Sequence, residues 1–278
     1  GFLGRELIPI LSSQFEVVGT SYTHASEQTI PLDITNQQQV KEVIEHINPG
    51  MVLLSAALTN LDQCEIDKDA AINLNVKGVE NVVRCCQNRR LVYYSTDAVF
   101  DGIRGNYRED DQTKPVNFYG ETKLRAENLV KALPEHLILR ICMLYTTAEH
   151  GPKFINWLIR SLSQGQVVRV ATDLTTTPTL VEEVAAATIA LLRKQCRGTY
   201  HVAGASALSC YAMARQIISK WGFHPALVQP VKRADLPWKA PRAEYGTLDI
   251  SKLRKEGISM STFEQGIEKV WKAAQSRR

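Results

Sequence analysis

The sequence has no long hydrophobic run: its longest apolar stretch is about seven residues, within 51–58 and with Ser55 inside it. A helix needs roughly 20 to cross a bilayer, so no membrane partner is expected. It has no CxxC pair and no His/Cys cluster at zinc spacing; Cys64, Cys85, Cys86, Cys142, Cys196 and Cys210 are scattered. Reduced, mostly buried thiols are therefore expected, with no metal site, and His150 and His201 lack partners at metal spacing. Excess charge of one sign is missing too: 33 basic and 29 acidic residues leave a net +4 spread along the chain. That pattern speaks against nucleic acid as a partner. Sixteen Gly and eleven Pro form neither a collagen period nor a low-complexity tract. With no secretory apolar segment, the expected setting is cytoplasmic. An initiator Met is also absent. The chain opens on Gly1 and runs almost at once into a helical stretch at 5–11, which reads as an opening that lacks its first strand.

What is there is a folded α/β chain of 278 residues, 44% apolar and 22% charged. Short apolar runs at 15–20, 51–57, 91–95 and 137–142 alternate with amphipathic stretches, as βαβ units do. Val40, Val43, Ile44 and Ile47 fall at i, i+3, i+4, i+7, and Val79, Val82, Val83 and Cys86 repeat the spacing. Further helices are predicted at 154–163, 181–192, 211–221 and 263–274, and strands at 167–171 and 199–202. The Pro-bearing segment 225–241 is predicted to be an irregular loop. The fold class is a doubly wound, Rossmann-like parallel sheet with a smaller interleaved C-terminal substrate lobe. The boundaries are 1–145 for the dinucleotide-binding domain and 146–278 for the lobe, with 178–203 returning to the core. In such folds ligands sit at the carboxyl ends of the strands.

Three features there carry chemistry. Gly1-Phe2-Leu3-Gly4 leads straight into a helix, where glycines let backbone approach a pyrophosphate; an ordinary turn reads equally well. Tyr119 and Lys123 stand at i and i+4 of a helical stretch, so they share a face. An ammonium there favours the phenolate and brings a phenol nearer to proton transfer at neutral pH. Taken alone, the pair is better explained by a solvated face. Tyr94-Ser95-Thr96-Asp97 closes a strand and puts hydroxyls where a crevice should be.

Taken together these motifs resemble those of the extended short-chain dehydrogenases/reductases, and most closely the dTDP-4-dehydrorhamnose reductase family. The resemblance runs along the whole chain. It rests on Gly1-Phe2-Leu3-Gly4, Leu32-Asp33-Ile34-Thr35, Ala56-Ala57-Leu58-Thr59, the run from Ser95 to Gly102, and Tyr119-Gly120-Glu121-Thr122-Lys123-Leu124. Thr177-Pro178-Thr179, the run Gly198 to His201 and the run Leu248 to Leu253 support it. The resemblance implies NAD(P)H-dependent reduction of a nucleotide-linked 4-keto sugar, dTDP-4-dehydro-L-rhamnose to dTDP-L-rhamnose, by a cytoplasmic homodimer. It implies Tyr119 as proton donor, Lys123 as holder of the nicotinamide ribose and depressor of the Tyr119 pKa, and Thr96 as hydrogen-bond donor to the substrate carbonyl. Gly1, Phe2, Leu3, Gly4, Asp33, Ile34, Ala56, Ala57 and Thr59 would line the cofactor, although Asp33 reads equally as the N-cap of the helix before 47. Thr20-Ser21-Tyr22 offers no carboxylate to a ribose 2′-hydroxyl, which leans toward NADPH over NADH.

Two departures stand out. Ala98 follows the Thr-Asp pair where the family carries Tyr, and Met143 takes an aromatic position. Without a Glu at 98, sugar dehydration is disfavoured. Two alternatives stay open: a non-catalytic subunit like the regulatory partner of methionine adenosyltransferase, and a nucleotide-sugar epimerase. Trp157, Trp221 and Trp271 are expected in the core, and Trp238 beside a nucleotide base.

Overall fold

Parallel strands buried on both faces need apolar residues at every position, and Leu91-Val92-Tyr93-Tyr94 supplies them. In the computed structural model, which describes residues 1–23, 29–148 and 153–277, this run is the second strand from one edge of a four-stranded parallel sheet.

The chain runs α1 (Phe2–Leu11), β1 (Gly19–Ser21), β2 (Thr29–Pro31), α2 (Gln37–Ile47), β3 (Met51–Leu54), α3 (Leu61–Ile66), α4 (Lys68–Ile72), a π-helical turn (Asn73–Lys77) and α5 (Gly78–Cys85). It continues through β4 (Arg90–Thr96), α6 (Phe118–Lys131), β5 (His136–Ile141), β6 (Leu144–Tyr145), α7 (Phe154–Ser163), β7 (Val168–Ala171), β8 (Thr175–Thr176) and β9 (Thr179–Leu180). It closes with α8 (Val181–Arg193), β10 (Gly198–His201), β11 (Leu208–Ser209), α9 (Cys210–Trp221), β12 (Val228–Val231), β13 (Tyr245–Gly246), α10 (Ser251–Lys255) and α11 (Phe263–Gln275). The large sheet has the order β10-β5-β4-β3, and β1 and β2 form a separate parallel pair.

Alternation along β4 and β5 sorts their side chains between two cores. Val92, Tyr94, Leu137 and Leu139 pack with Leu3, Leu7 and Leu11 of α1 and Val184 and Leu191 of α8. Leu91, Tyr93 and Ile138 pack with Val40 and Ile44 of α2, Val79 and Val82 of α5, and Val130 of α6. Helices therefore cover both faces, which is the doubly wound arrangement. Each fully buried Leu or Val contributes about 1.5–3 kcal/mol. A third core joins Tyr145, Leu158, Leu162, Val170, Met213, Ile217, Phe263 and Ile267 from β6, α7, β7, α9 and α11.

Several sequence expectations are corrected. The segment 225–241 is not all loop: β12 pairs in parallel with β7, Val228 opposite Val168 through Val231 opposite Ala171. Pro230 sits inside it on an edge, where a missing N–H costs no ladder bond. Trp157 is 38% exposed rather than core, its ring 6.1 Å from that of Phe154. The run at 15–20 forms a strand only from Gly19, and Cys85 ends its helix half-buried. Asp33 does not cap α2; Asn36 does, its side chain accepting from the Gln39 N–H at 3.1 Å. His150 lies outside the described residues.

Candidate active site

The helix that carries Tyr119 and Lys123 starts where it does because Asn117 caps it. The Asn117 side chain accepts from the Gly120 N–H at 2.9 Å, and the next free N–H, of Phe118, goes to Glu65 Oε1 at 2.7 Å. Gly120 then allows α6 to pass against the turn after β4: a Cβ there would lie 2.1 Å from the Ala98 carbonyl oxygen. This contact brings Tyr119 over the carboxyl end of β4, where Thr96 terminates the strand.

Tyr119 and Lys123 are both buried. Lys123 Nζ donates to the Tyr94 carbonyl at 2.7 Å and stands 4.0 Å from the centre of the Tyr93 ring. Thr96 Oγ1 donates to Asp97 Oδ1 at 3.0 Å and accepts from the Ala98 N–H at 3.2 Å. Burial pushes the Tyr119 phenol up from its ordinary value; the Asp97 charge adds to this and the Thr96 hydroxyl opposes it. A phenol depressed by Lys123 is therefore not what this arrangement holds. The raised phenol stays protonated at neutral pH, which is the form a proton donor needs. Burial pulls the Lys123 ammonium down to about 7, with Glu127 acting against the fall. Asp97 packs so tightly under Gly246 that a Cβ there would meet Oδ2 at 2.6 Å, and burial pushes its carboxyl up to about 6 against hydrogen bonds from Cys142 and Thr96.

The other sequence-predicted residues occupy neighbouring connections. Gly1 to Gly4 form the N-terminal turn of α1, which has no side-chain cap and no acidic residue in its first turn. Leu3 turns into the core, while Gly4 faces Ser55 closely enough that a Cβ would stand 3.2 Å from its Oγ. Ala56, Ala57 and Thr59 follow the carboxyl end of β3, with Ala56 and Thr59 exposed. Asp33 follows β2 and accepts from the Thr35 N–H and hydroxyl at 2.9 and 2.8 Å. Ile34 is buried among Val79 and Leu54. Trp238 stacks under the Arg242 guanidinium, 5.1 Å from the ring centre.

Three supporting residues escaped sequence reasoning. Asn75, fully buried in the π-helical turn, accepts from the Leu58 N–H at 2.8 Å and donates to the Leu58 carbonyl at 3.1 Å and to Thr122 Oγ1 at 3.0 Å. It thereby ties the connection after β3 to α6; nothing in the sequence marks a π turn. Asp62, on α3, and Asn117, at the start of α6, tie down the segment 239–242. Asp62 Oδ1 accepts from the Lys239 and Ala240 N–H groups at 3.0 and 2.9 Å and from Arg242 at 2.9 Å, while Asn117 Nδ2 donates to the Pro241 carbonyl at 3.0 Å. Burial alone would raise the Asp62 carboxyl; these partners hold it below its usual range. Asp62→Ala should cut hydrogen-exchange protection of the Lys239 and Ala240 amides about tenfold, the equivalent of one charge-assisted bond of about 1.4 kcal/mol. Unchanged protection would show that the segment is held by other contacts.

Met143, between β5 and β6, has φ 33°, a left-handed backbone that is uncommon for a non-glycine residue. Its carbonyl accepts from the Thr179 N–H at 3.0 Å, which helps fix this strand-end geometry.

Comparison with known proteins bears on this geometry. The RmlD substrate-binding domain family matches residues 1–276. A probable low-salt glycan biosynthesis reductase of Haloferax volcanii is 32% identical over 96% of this chain and 93% of that protein. A dTDP-4-dehydrorhamnose reductase of Aggregatibacter actinomycetemcomitans is 29% identical over 97% of this chain and 95% of that protein. The crystal structure of dTDP-4-dehydrorhamnose reductase from Bacillus anthracis in complex with NADP superposes with a TM-score of 0.85 at 30% identity, covering 98% of this chain and 95% of the other.

Proposed function

Since the chain belongs to the dTDP-4-dehydrorhamnose reductase (RmlD) family, we propose that it is an oxidoreductase that uses NADPH to reduce the 4-keto group of a dTDP-linked sugar, dTDP-4-dehydro-L-rhamnose to dTDP-L-rhamnose. The observation that carries this reading is the convergence of buried Tyr119 and Lys123 on α6 with Thr96 at the end of β4.

The connections around the strand ends suit a dinucleotide. An uncapped first turn of α1 offers N–H groups and the positive end of its dipole to a pyrophosphate. Gly4, tight against Ser55, leaves no room for a larger residue to block that approach. β1 ends on Ser21, whose hydroxyl pairs with that of Thr29 at 2.8 Å, and the described residues 19–23 carry no carboxylate to repel a 2′-phosphate. Bound there, the reduced nicotinamide supplies the hydride.

The chain's own residues do the rest. Thr96 turns its hydroxyl to the substrate carbonyl and fixes its orientation. Tyr119 delivers the phenolic proton to the oxygen as negative charge develops on it, and its raised pKa keeps that proton available beforehand. Lys123, anchored on the Tyr94 carbonyl, directs its ammonium to the nicotinamide ribose and to the phenolate left on Tyr119. The residues from 146 onward hold the sugar nucleotide, and Ala98 and Met143 leave its sugar face less aromatic than in the wider family. A cytoplasmic setting agrees with six free cysteines.

The test is loss of NADPH absorbance on adding dTDP-4-dehydro-L-rhamnose, with dTDP-L-rhamnose identified as product. Tight NADPH binding without oxidation would sink the reductase reading and favour the non-catalytic partner role.

A further inference from the structure

Tyr119, Lys123, Glu127 and Lys131 follow one another at intervals of four along α6, so they climb a single face of the helix. The first three are buried, Glu127 completely. Arg140, on β5, grips both oxygens of Glu127: Nε donates to Oε1 at 2.9 Å and Nη2 to Oε2 at 2.8 Å. Lys131 reaches Oε2 from the rim at 3.3 Å. The third donor of Arg140, Nη1, goes to the Glu109 carbonyl at 3.2 Å and to His201 Nε2 at 3.4 Å. His201 Nδ1 faces the Asp249 carbonyl at 3.1 Å, so Nδ1 carries the hydrogen and Nε2 accepts from Arg140. Burial and Arg140 push the His201 ring down to about 3, which keeps it neutral.

A buried ion pair of this kind is poor insurance for stability, because well-packed apolar residues often do as well or better. Its placement explains more. Burial alone would raise the Glu127 carboxyl, but the bonds and charge of Arg140 hold it ionised. Two anionic groups stand near the catalytic face at neutral pH: Glu127 one turn below Lys123, and Asp97 beyond Tyr119. Tyr93 and Tyr94 of β4 and Tyr119 itself are phenols pushed up by burial and so neutral, while Arg140 and Lys131 are cations held on the far side of Glu127. Because Arg140 occupies both oxygens, Glu127 acts on Lys123 through its field and leaves the lysine N–H donors directed at the Tyr94 carbonyl and the site.

We propose that Glu127, locked by Arg140, is a positioning residue for Lys123: it holds more of that side chain as the ammonium at neutral pH than burial alone would allow, without drawing it into an ion pair. The proposal rests on the reading of Lys123 as the group that holds the ribose and steadies the Tyr119 phenolate. It explains how a lysine buried in this place keeps a working fraction of ammonium.

The experiment is a pH titration of protein labelled with 13C at lysine Cε, followed by NMR without added cofactor, with the Lys123 resonance assigned by its loss in Lys123→Met. Removing the negative charge weakens the ammonium, so Glu127→Gln should move the Lys123 midpoint to lower pH by about one unit, and the alkaline limb of kcat with it. If Glu127→Gln fails to fold, Glu127→Gln/Arg140→Met removes both buried charges together; the Lys123 midpoint should still fall, by a smaller amount because a cation is lost as well. A purely structural ion pair would lower Tm and leave the midpoint where it was, and that result overturns the proposal. Failure of the wild type to oxidise NADPH, with the midpoint shifted, would count against the reductase reading alone.

Discussion

Tyr119→Phe should lower kcat for NADPH-dependent reduction by about a thousandfold, inside the range of roughly 10²–10⁴ that a positioned general acid contributes. The ring stays where it is: Tyr119 is buried beside Cys64 and Ala71, and Phe fills the same volume. Only the proton is lost. Lys123 keeps its bond to the Tyr94 carbonyl, which does not involve the phenol, so the NADPH dissociation constant should stay within about threefold of wild type. The two measurements separate chemistry from binding. Asp97 and Thr96 both act on the phenol, and removing it relieves the Asp97 carboxyl of a neighbour whose ionised form would repel it. Equal turnover in the mutant would remove Tyr119 from the mechanism and leave the proton to come from Asp97 or water.

How much of this site was legible in the sequence depends on whether a residue's role is local or long-range. The i, i+4 spacing put Tyr119 and Lys123 on one helix face, and the helix is there, from Phe118 to Lys131. The apolar run at 91–95 gave β4 because a strand covered on both faces leaves no polar alternation to disguise it. What stayed hidden was made by the tertiary fold. Asp33 and Asn36 are both cap residues by type, and only the backbone path decides that Asn36 caps and Asp33 folds back on Thr35. Lys123 was expected to depress the phenol, an inference from neighbours along a helix; desolvation, which sequence does not display, pushes the phenol up instead. Strand β12 was missed because Pro230 and the flanking prolines read as loop, yet an edge position tolerates them. Glu127 was one more step of four along the same face, so its alignment was visible, but its partner Arg140 comes from the next strand and its meaning does not.

Gly120→Ala should damage both stability and turnover, although it adds a single methyl. In the interior of an unconstrained helix the change would help by about 1 kcal/mol, because Gly gives up more backbone freedom than Ala on folding. Here the added Cβ would lie 2.1 Å from the Ala98 carbonyl oxygen, 2.9 Å from its carbon and 2.9 Å from Pro115 Cβ. Two of the three obstacles are backbone, which cannot rotate away, so α6 itself must move. Overpacking of this kind costs about 1–3 kcal/mol where side chains can yield and more where they cannot, and a net loss of about 3 kcal/mol is expected after the propensity gain. For a chain of this size that lowers Tm by about 6–12 °C. The functional loss should exceed what the folded fraction explains, because α6 carries Tyr119 one residue before the clash and Lys123 one turn after it. A shift of about 1 Å at reacting groups costs about a hundredfold in rate. Thermal unfolding together with kcat at a temperature where the mutant is fully folded would check both. A Tm at or above wild type would mean that the turn 97–99 gives way instead of the helix. Reduced Tm with normal kcat would show that α6 moves without carrying its side chains out of register, and that Asn117 and Asn75 hold the catalytic end of the helix in place independently of the Gly120 contact.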